Sequence, residues 1–212
     1  MGDERTLVGK NVGRFKVSRS TADQLVLTGR AGTGILYLVC AAPCLALAAA
    51  AWASVLAGRT QTLNAAAVLT ALSLILLFLA ASTLGTRIVF DGNAASVNRT
   101  MFFGLSKKVL AKPTLAFVSI SVLPATLKVR EKTFLHLMND RQLVELYIVD
   151  LRTDAPAAVQ LIDIAERIST LLKLRPRCEG TPTTAPQPFI VAYQRWTAIC
   201  PDGVQPLRRQ VA

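Results

Sequence analysis

Residues 31–58, AGTGILYLVCAAPCLALAAAAWASVLAG, and residues 60–86, TQTLNAAAVLTALSLILLFLAASTLGT, decide the reading of this chain. They run for 28 and 27 residues without a charged side chain, and Arg59 alone separates them. A helix crosses the hydrocarbon core of a bilayer with about 20 predominantly apolar residues, so each stretch is long enough to cross with some tilt. The sequence predicts a transmembrane hairpin over 32–86, with spans of about 33–57 and 64–84. A buried hairpin in a soluble protein is disfavoured, because too little chain remains to cover two helices that are apolar all round. A cleaved leader is disfavoured too. Thirty mostly polar residues precede the first stretch, which exceeds the roughly 7–15 residues of a leader's apolar region.

Sidedness follows from the basic residues near the span ends. Arg5, Lys10, Arg14, Lys16, Arg19 and Arg30 precede the first span, and Arg87, Arg99, Lys107, Lys108 and Lys112 follow the second. The connecting loop has only Arg59. A multi-pass protein of the inner (cytoplasmic) membrane, with both termini cytoplasmic, is therefore expected. The formal charge is +11. An anionic inner leaflet suits this balance. The basic residues are scattered and no nucleic-acid motif accompanies them, so no nucleic-acid partner is expected.

The first span is rich in alanine. Ala42, Ala46 and Ala50 recur every four residues, a spacing that lets helices approach closely in lipid. The second span is the simplest partner for that face, and another copy of the chain is the alternative. Neither span carries an ionisable residue apart from Cys40 and Cys44, which argues against a transporter or pump.

Outside the spans the chain divides into three parts. Residues 1–31 read as a basic cytoplasmic arm in which 23–27 is either a short strand or an interfacial stretch. Residues 87–175 read as a folded domain. Arg87-Ile88-Val89-Phe90 is a strand, and Asp91-Gly92-Asn93 a hairpin turn. Further strands are expected over 95–103, 105–110, 115–123, 127–132, 134–138 and 143–151. An amphipathic helix follows, with Asp154 as its N-cap and Pro156 in its first turn. Residues 176–212 hold six of the ten prolines and read as a mostly disordered tail. Its Cys178 and Cys200 would be reduced thiols in the cytoplasm.

Arg87-Ile88-Val89-Phe90-Asp91 at the membrane exit, Asn98-Arg99 in the next strand, and a long helix ending Leu171-Leu172-Lys173-Leu174 carry a resemblance. Over about 33–175 the chain resembles bacterial membrane proteins that place a pleckstrin-homology-like domain directly after a transmembrane hairpin. The resemblance implies a membrane α+β protein: a two-helix hairpin plus an antiparallel β-barrel or sandwich capped by a C-terminal amphipathic helix. It implies no enzymatic activity and no defined ligand.

Chemical motifs are sparse. Lys128, Arg130 and Lys132 alternate along an expected strand, and with Lys107, Lys108 and Lys112 they form a candidate patch for anionic lipid or a partner. The alternative is an ordinary solvated strand face. Gly29 to Gly34 has the wrong order for a phosphate loop. His136, the sole histidine, reads as structural, and no G-x-S-x-G occurs. No catalytic residue, metal ligand or cofactor is expected. The function expected is a non-enzymatic interaction or scaffold module at the cytoplasmic membrane face. A structural subunit assembled through the alanine faces is the alternative, as is an anionic-lipid-binding module. The expected partners are the bilayer and either another protein or a second copy of the chain.

Overall fold

The computed structural model describes residues 7–127 and 129–207. The protein is mixed α+β and forms two compact units. A hairpin unit comprises Thr28–Arg87 and Thr100–Lys107, and a sheet unit comprises most of the remaining chain.

In the hairpin unit, α1 (Ala31–Leu56) and α2 (Leu63–Leu84) are joined by a single 3-10 turn at Thr60–Thr62. Both helices are long and apolar enough to cross a membrane, and only 17% of each apolar window is buried within the protein. A core helix of a soluble domain would be mostly covered. Here the large residues face outward, among them Leu36, Val39, Leu47, Leu74 and Phe78. The small ones face inward: Gly34, Ala41 and Ala48 on α1, and Ala66, Ser73 and Ala80 on α2. Both sets repeat every seven residues. That is the period of two helices wound gently around each other, with small side chains setting a close approach. Gly34 shows how close: a Cβ there would lie 2.3 Å from Leu84 Cγ. Hydroxyls within the hairpin stay satisfied by back-bonding, as when Ser73 donates to Leu69 O at 2.7 Å. Trp52 Nε1 donates across the pair to Thr70 Oγ1 at 3.0 Å.

The second span, the simplest partner expected for the alanine face, does not take it. Ala42, Ala46 and Ala50 are exposed, and α2 packs on the neighbouring stripe instead. Spacing by four selected a face, but two helices that stay in contact over six turns need the 3.5-residue period.

The sheet unit contains most of two sheets. The first has strand order β1-β2-β3-β4-β5-β6: Asn11–Val12, Phe15–Ser20, Gln24–Gly29, Arg87–Asp91, Ser96–Met101 and Ser106–Ala111. The supposed N-terminal arm thus supplies three strands. Phe15, Val17, Leu25 and Leu27 are buried, and the stretch expected at 23–27 is the strand Gln24–Gly29. The second sheet has order β11-β10-β7-β8-β9: Val204–Gln205, Arg175–Glu179, Phe117–Leu123, Lys132–Met138 and Val144–Arg152. Strands β7, β8 and β9 form an antiparallel meander, whereas β10 runs parallel to β7. The amphipathic helix α3 (Ala157–Leu172) stands where its periodicity predicts, burying Leu161, Ile164, Ala165, Ile168 and Leu172. Its N-cap is Pro156, while Asp154 pairs with Arg152 instead. One continuous core joins Phe90 of the first sheet, Ile120 and Leu135 of the second, and the buried face of α3. Among the described residues the strands do not close into a barrel, so the barrel expectation is corrected to two open sheets.

The largest correction concerns the tail. Residues from 176 onward, expected to be mostly disordered, contain most of β10, α4 (Gln187–Ile199) and β11. Phe189 and Trp196 of α4 are fully buried in the shared core. The prolines punctuate this structure. Pro186 is the N-cap of α4 and Pro188 lies in its first turn, where a missing N–H costs nothing. Pro201 follows the helix end. Pro176 sits in β10, but Arg175 N donates to Ala116 O, so the next nitrogen points to the opposite side. There β11 has not begun, since it pairs only with Cys178 and Glu179.

Cys178 and Cys200 form a disulfide that closes a loop around α4. Cys178 is fully buried and Cys200 nearly so. Reduced thiols were expected for a cytoplasmic tail, and sequence alone could not bring a strand residue to the end of a helix 22 positions away.

Candidate functional site

The basic residues of the candidate patch that lie in the sheet unit do not form one cluster. Lys128 lies outside the described residues. Arg130 precedes β8 in an irregular segment, so the strand alternation that grouped it with Lys132 is absent. Arg130 pairs with Asp154 at 3.7 Å, and Lys132 with Asp150 at 3.6 Å. Lys108 Nζ instead donates to Glu145 O at 2.6 Å, near the start of β9, whereas Lys132 faces Arg152 at its far end. The offset from Glu145 to Arg152 spans roughly 20 Å of strand. Lys107 belongs to the hairpin unit, and Lys112 opens a 3-10 turn at Lys112–Thr114. Exposed pairs such as Arg130–Asp154 are screened by solvent and contribute little to stability, but they offset the local positive charge.

The structure assembles a different group. Register places Ser119 beside both His136 and Arg177, and Ser121 beside Glu179, all on one face of the second sheet. Each is nearly inaccessible. Glu179 accepts from Ser121 Oγ at 3.0 Å and from Arg177 Nε at 2.9 Å. Ser121 Oγ lies 3.5 Å from His136 Nε2. The composition evokes a serine–histidine–acid relay, but the connections differ. The carboxylate holds the serine and a guanidinium, not the imidazole. A relay needs the acid on the far nitrogen of the histidine. Trp196 Nε1 donates to Arg177 O at 3.1 Å, which fixes this strand against α4.

Burial pushes His136 down to about 4; Glu179 opposes the shift and Arg177 adds to it. The imidazole is therefore neutral in the folded protein at neutral pH. An unfolded histidine takes up its proton near 6.5. Below that pH the unfolded chain binds a proton that the folded one refuses, so stability falls as pH drops and the loss levels off near 4. Between neutrality and pH 5 this loss is expected to be roughly 2 kcal/mol. Denaturant unfolding of the wild type and of His136→Gln at both pH values checks it. The variant should lose less stability on acidification by about that amount. Equal acid sensitivity in the two proteins would assign the effect elsewhere.

A second buried acid organises a loop. Glu131 Oε2 accepts from Thr183 N at 2.6 Å, Thr183 Oγ1 at 2.8 Å and Thr184 N at 3.1 Å. Burial raises its pKa, but the Thr183 and Thr184 donors outweigh that and hold the carboxyl below its ordinary value. Beside it is a cavity of about 120 Å³ lined by Ala125, Arg130, Glu131, Thr153, Asp154 and Thr184. The sequence signal for these groups was faint. Ser119 and Ser121 stand in the alternation of β7, but Arg177, Glu179, Thr183 and Thr184 lay in the segment read as disordered. Among the described residues no group of three or more histidines, cysteines or acids is placed to hold a metal.

Comparison of the chain with protein-family models, with curated proteins and with solved structures finds no match in any of the three.

Proposed function

We propose that this chain is a membrane-anchored, non-enzymatic interaction module. Its helical hairpin crosses the inner membrane with both ends in the cytoplasm, and its sheet unit presents a pleckstrin-homology-like scaffold to a protein partner. The observation that carries the anchor is the inverted packing of the hairpin, with small residues inside and large apolar ones outside. Such a surface is stable in lipid and costly in water. The basic flanks support the cytoplasmic orientation. The meander β7–β9 followed by α3 supports the scaffold reading.

The partner-binding edge is β9. It is nine residues long, ends the second sheet and contains no proline. Val144 and Tyr147 are exposed along it, and Leu143 just before it. Apart from Glu145 O, which accepts from Lys108 Nζ, an edge of this kind accepts an additional strand from a partner. The full-length protein, purified in mild detergent with its co-purifying proteins identified by mass spectrometry, tests this. A stoichiometric partner is expected, lost when Val144→Pro removes an edge donor. Retention of the same partner by that variant would overturn the edge assignment, and a protein recovered without partner would overturn the module.

One observation favours a second reading, in which the sheet unit lies outside the cytoplasm: the Cys178–Cys200 disulfide, since such bonds persist mainly in oxidising compartments. The same preparation separates the two. Cells quenched in acid, then unfolded and alkylated, yield both thiols modified under the cytoplasmic reading and neither under the alternative.

A further inference from the structure

Between β5 and β6 the hairpin unit contains a short segment with unusual exposure. After β5 the chain makes a 3-10 turn at Phe102–Gly104 and returns at Ser106. Phe103 is 73% exposed and Leu105 is 92% exposed, values at which a large apolar side chain touches almost nothing of its own protein. The turn is nevertheless held in place. Phe103 N donates to Gly85 O at 3.3 Å, and the Phe102 ring lies 5.0 Å from that of Phe78 on α2. Gly85 allows this approach, because a Cβ there would lie 2.3 Å from Phe103 N. Phe102 and Phe103 both adopt left-handed backbone conformations, with φ of 51° and 56°. Bulky residues rarely do so, and two in succession persist only where the surroundings impose them. The outcome is that an exposed phenylalanine and an exposed leucine are fixed at the C-terminal end of α2, continuous with its outward apolar surface.

Basic residues of the same unit surround this end. Arg30 is the N-cap of α1, and Gly29 N donates to Thr86 O at 2.7 Å, which brings it beside Arg87. Thr100 Oγ1 donates to Arg87 O at 3.3 Å, and Lys107 follows the turn. All three cations are exposed. Among the described residues, no carboxylate lies within ion-pair distance of any of them. A cation at a helix N-cap is electrostatically unfavourable unless an anion offsets it, and α1 has neither an acidic residue in its first turn nor a side-chain cap.

We propose that the segment Thr100–Lys107 is a membrane-interface wedge: Phe103 and Leu105 enter the headgroup–acyl boundary of the leaflet at the C-terminal end of α2, while Arg30, Arg87 and Lys107 engage the phosphates of anionic phospholipids. An interfacial aromatic and leucine beside basic residues is the chemistry that such a boundary selects. The inference rests on the anchor reading of the hairpin. It assigns to the lipid surface a loop distinct from the dispersed patch of Lys108, Lys112, Arg130 and Lys132.

The test uses the full chain with Cys40→Ala and Cys44→Ala, carrying an environment-sensitive fluorophore on Leu105→Cys. It is placed in nanodiscs of phosphatidylcholine with or without phosphatidylglycerol. Leu105 touches little, so its replacement leaves the fold intact. A parallel label on Leu74→Cys, at an outward position of α2, reports the hairpin alone. With phosphatidylglycerol present, lipids carrying a nitroxide near the headgroup should quench the Leu105 label about twofold or more, and Phe103→Asp should remove most of that quenching. Quenching should weaken without phosphatidylglycerol or with Lys107→Glu. If acyl-chain nitroxides quench Leu74 while the Leu105 label stays water-exposed, the wedge is overturned and the anchor stands. If Leu74 is also unquenched, the anchor fails and the wedge with it. Equal quenching of Leu105 in both lipid compositions overturns the role given to the cations.

Discussion

A chain ended after Leu174, just before β10, is expected to lose the folded sheet unit altogether. Residues beyond that point supply β10, which pairs with the central strand β7 along five positions, and α4, which buries Phe189, Tyr193 and Trp196. Burying each large side chain contributes about 1.5–3 kcal/mol, and a domain of this kind has only about 5–15 kcal/mol of net stability. The truncation also exposes the face of α3 that α4 covers, and it removes Arg195, whose guanidinium holds Asp163 and Glu166 at 2.7 Å each. Circular dichroism and protease resistance in detergent would check the outcome. The milder Trp196→Ala should cost about 3–5 kcal/mol, because a fully buried ring that also donates to Arg177 O leaves both a cavity and an orphaned carbonyl. A truncated chain retaining a cooperative transition would show that the C-terminal elements are dispensable, as a disordered tail would be.

Paired substitutions on opposite faces of α1 should give the second large effect. Ala41→Leu with Ala48→Leu inserts six extra carbons into the seam where α2 approaches. Ala42→Leu with Ala46→Leu makes the same change in composition on the exposed face. Overpacking a tight contact costs about 1–3 kcal/mol per site, so the first pair should separate or displace the helices while the second leaves the hairpin intact. With Cys40 replaced by alanine, Cys44 reports the result, because it lies partly buried between Ala41 and Ala48. Its reaction with a maleimide dye should begin at a markedly lower temperature in the inner-face variant. Equal melting of the two variants would refute the seam. Loss of self-association in the outer-face variant alone would instead mark Ala42 and Ala46 as contacts between copies.

Several elements are legible in the sequence. Charge-free runs of 28 and 27 residues leave little choice but long apolar helices, because composition alone determines that preference. The hairpin turn at Asp91-Gly92, the alternation of β7 and the helical spacing of α3 were readable for the same reason. Each is a local pattern, and each located its element, although β7 is buried on both faces and its alternation did not mark a solvent side. The polar cluster was not readable in this way. His136 could be named as structural, but its neighbours Arg177 and Glu179 are some 40 positions away, and only the pairing of β10 with β7 brings them to Ser119 and Ser121.

The tail shows why proline content misleads. Proline forbids particular hydrogen bonds, but it is tolerated wherever those bonds are not needed. Pro176, Pro186 and Pro188 each occupy such a place. Whether a place is suitable depends on which strand lies alongside and where a helix begins, which composition does not encode.

The sequence by itself therefore determined the apolar hairpin, the basic charge around it, and a strand-rich segment closed by an amphipathic helix. Those features depend on the order of residues along a few turns or one strand. Tertiary structure alone decided the inward face of α1, the dispersal of the basic residues, the sheet partners of the N- and C-terminal segments, and the Cys178–Cys200 bond. Each of these is a contact between residues far apart in the chain. Such contacts are selected by the burial of a shared core, in which no single segment carries enough information to specify its partner.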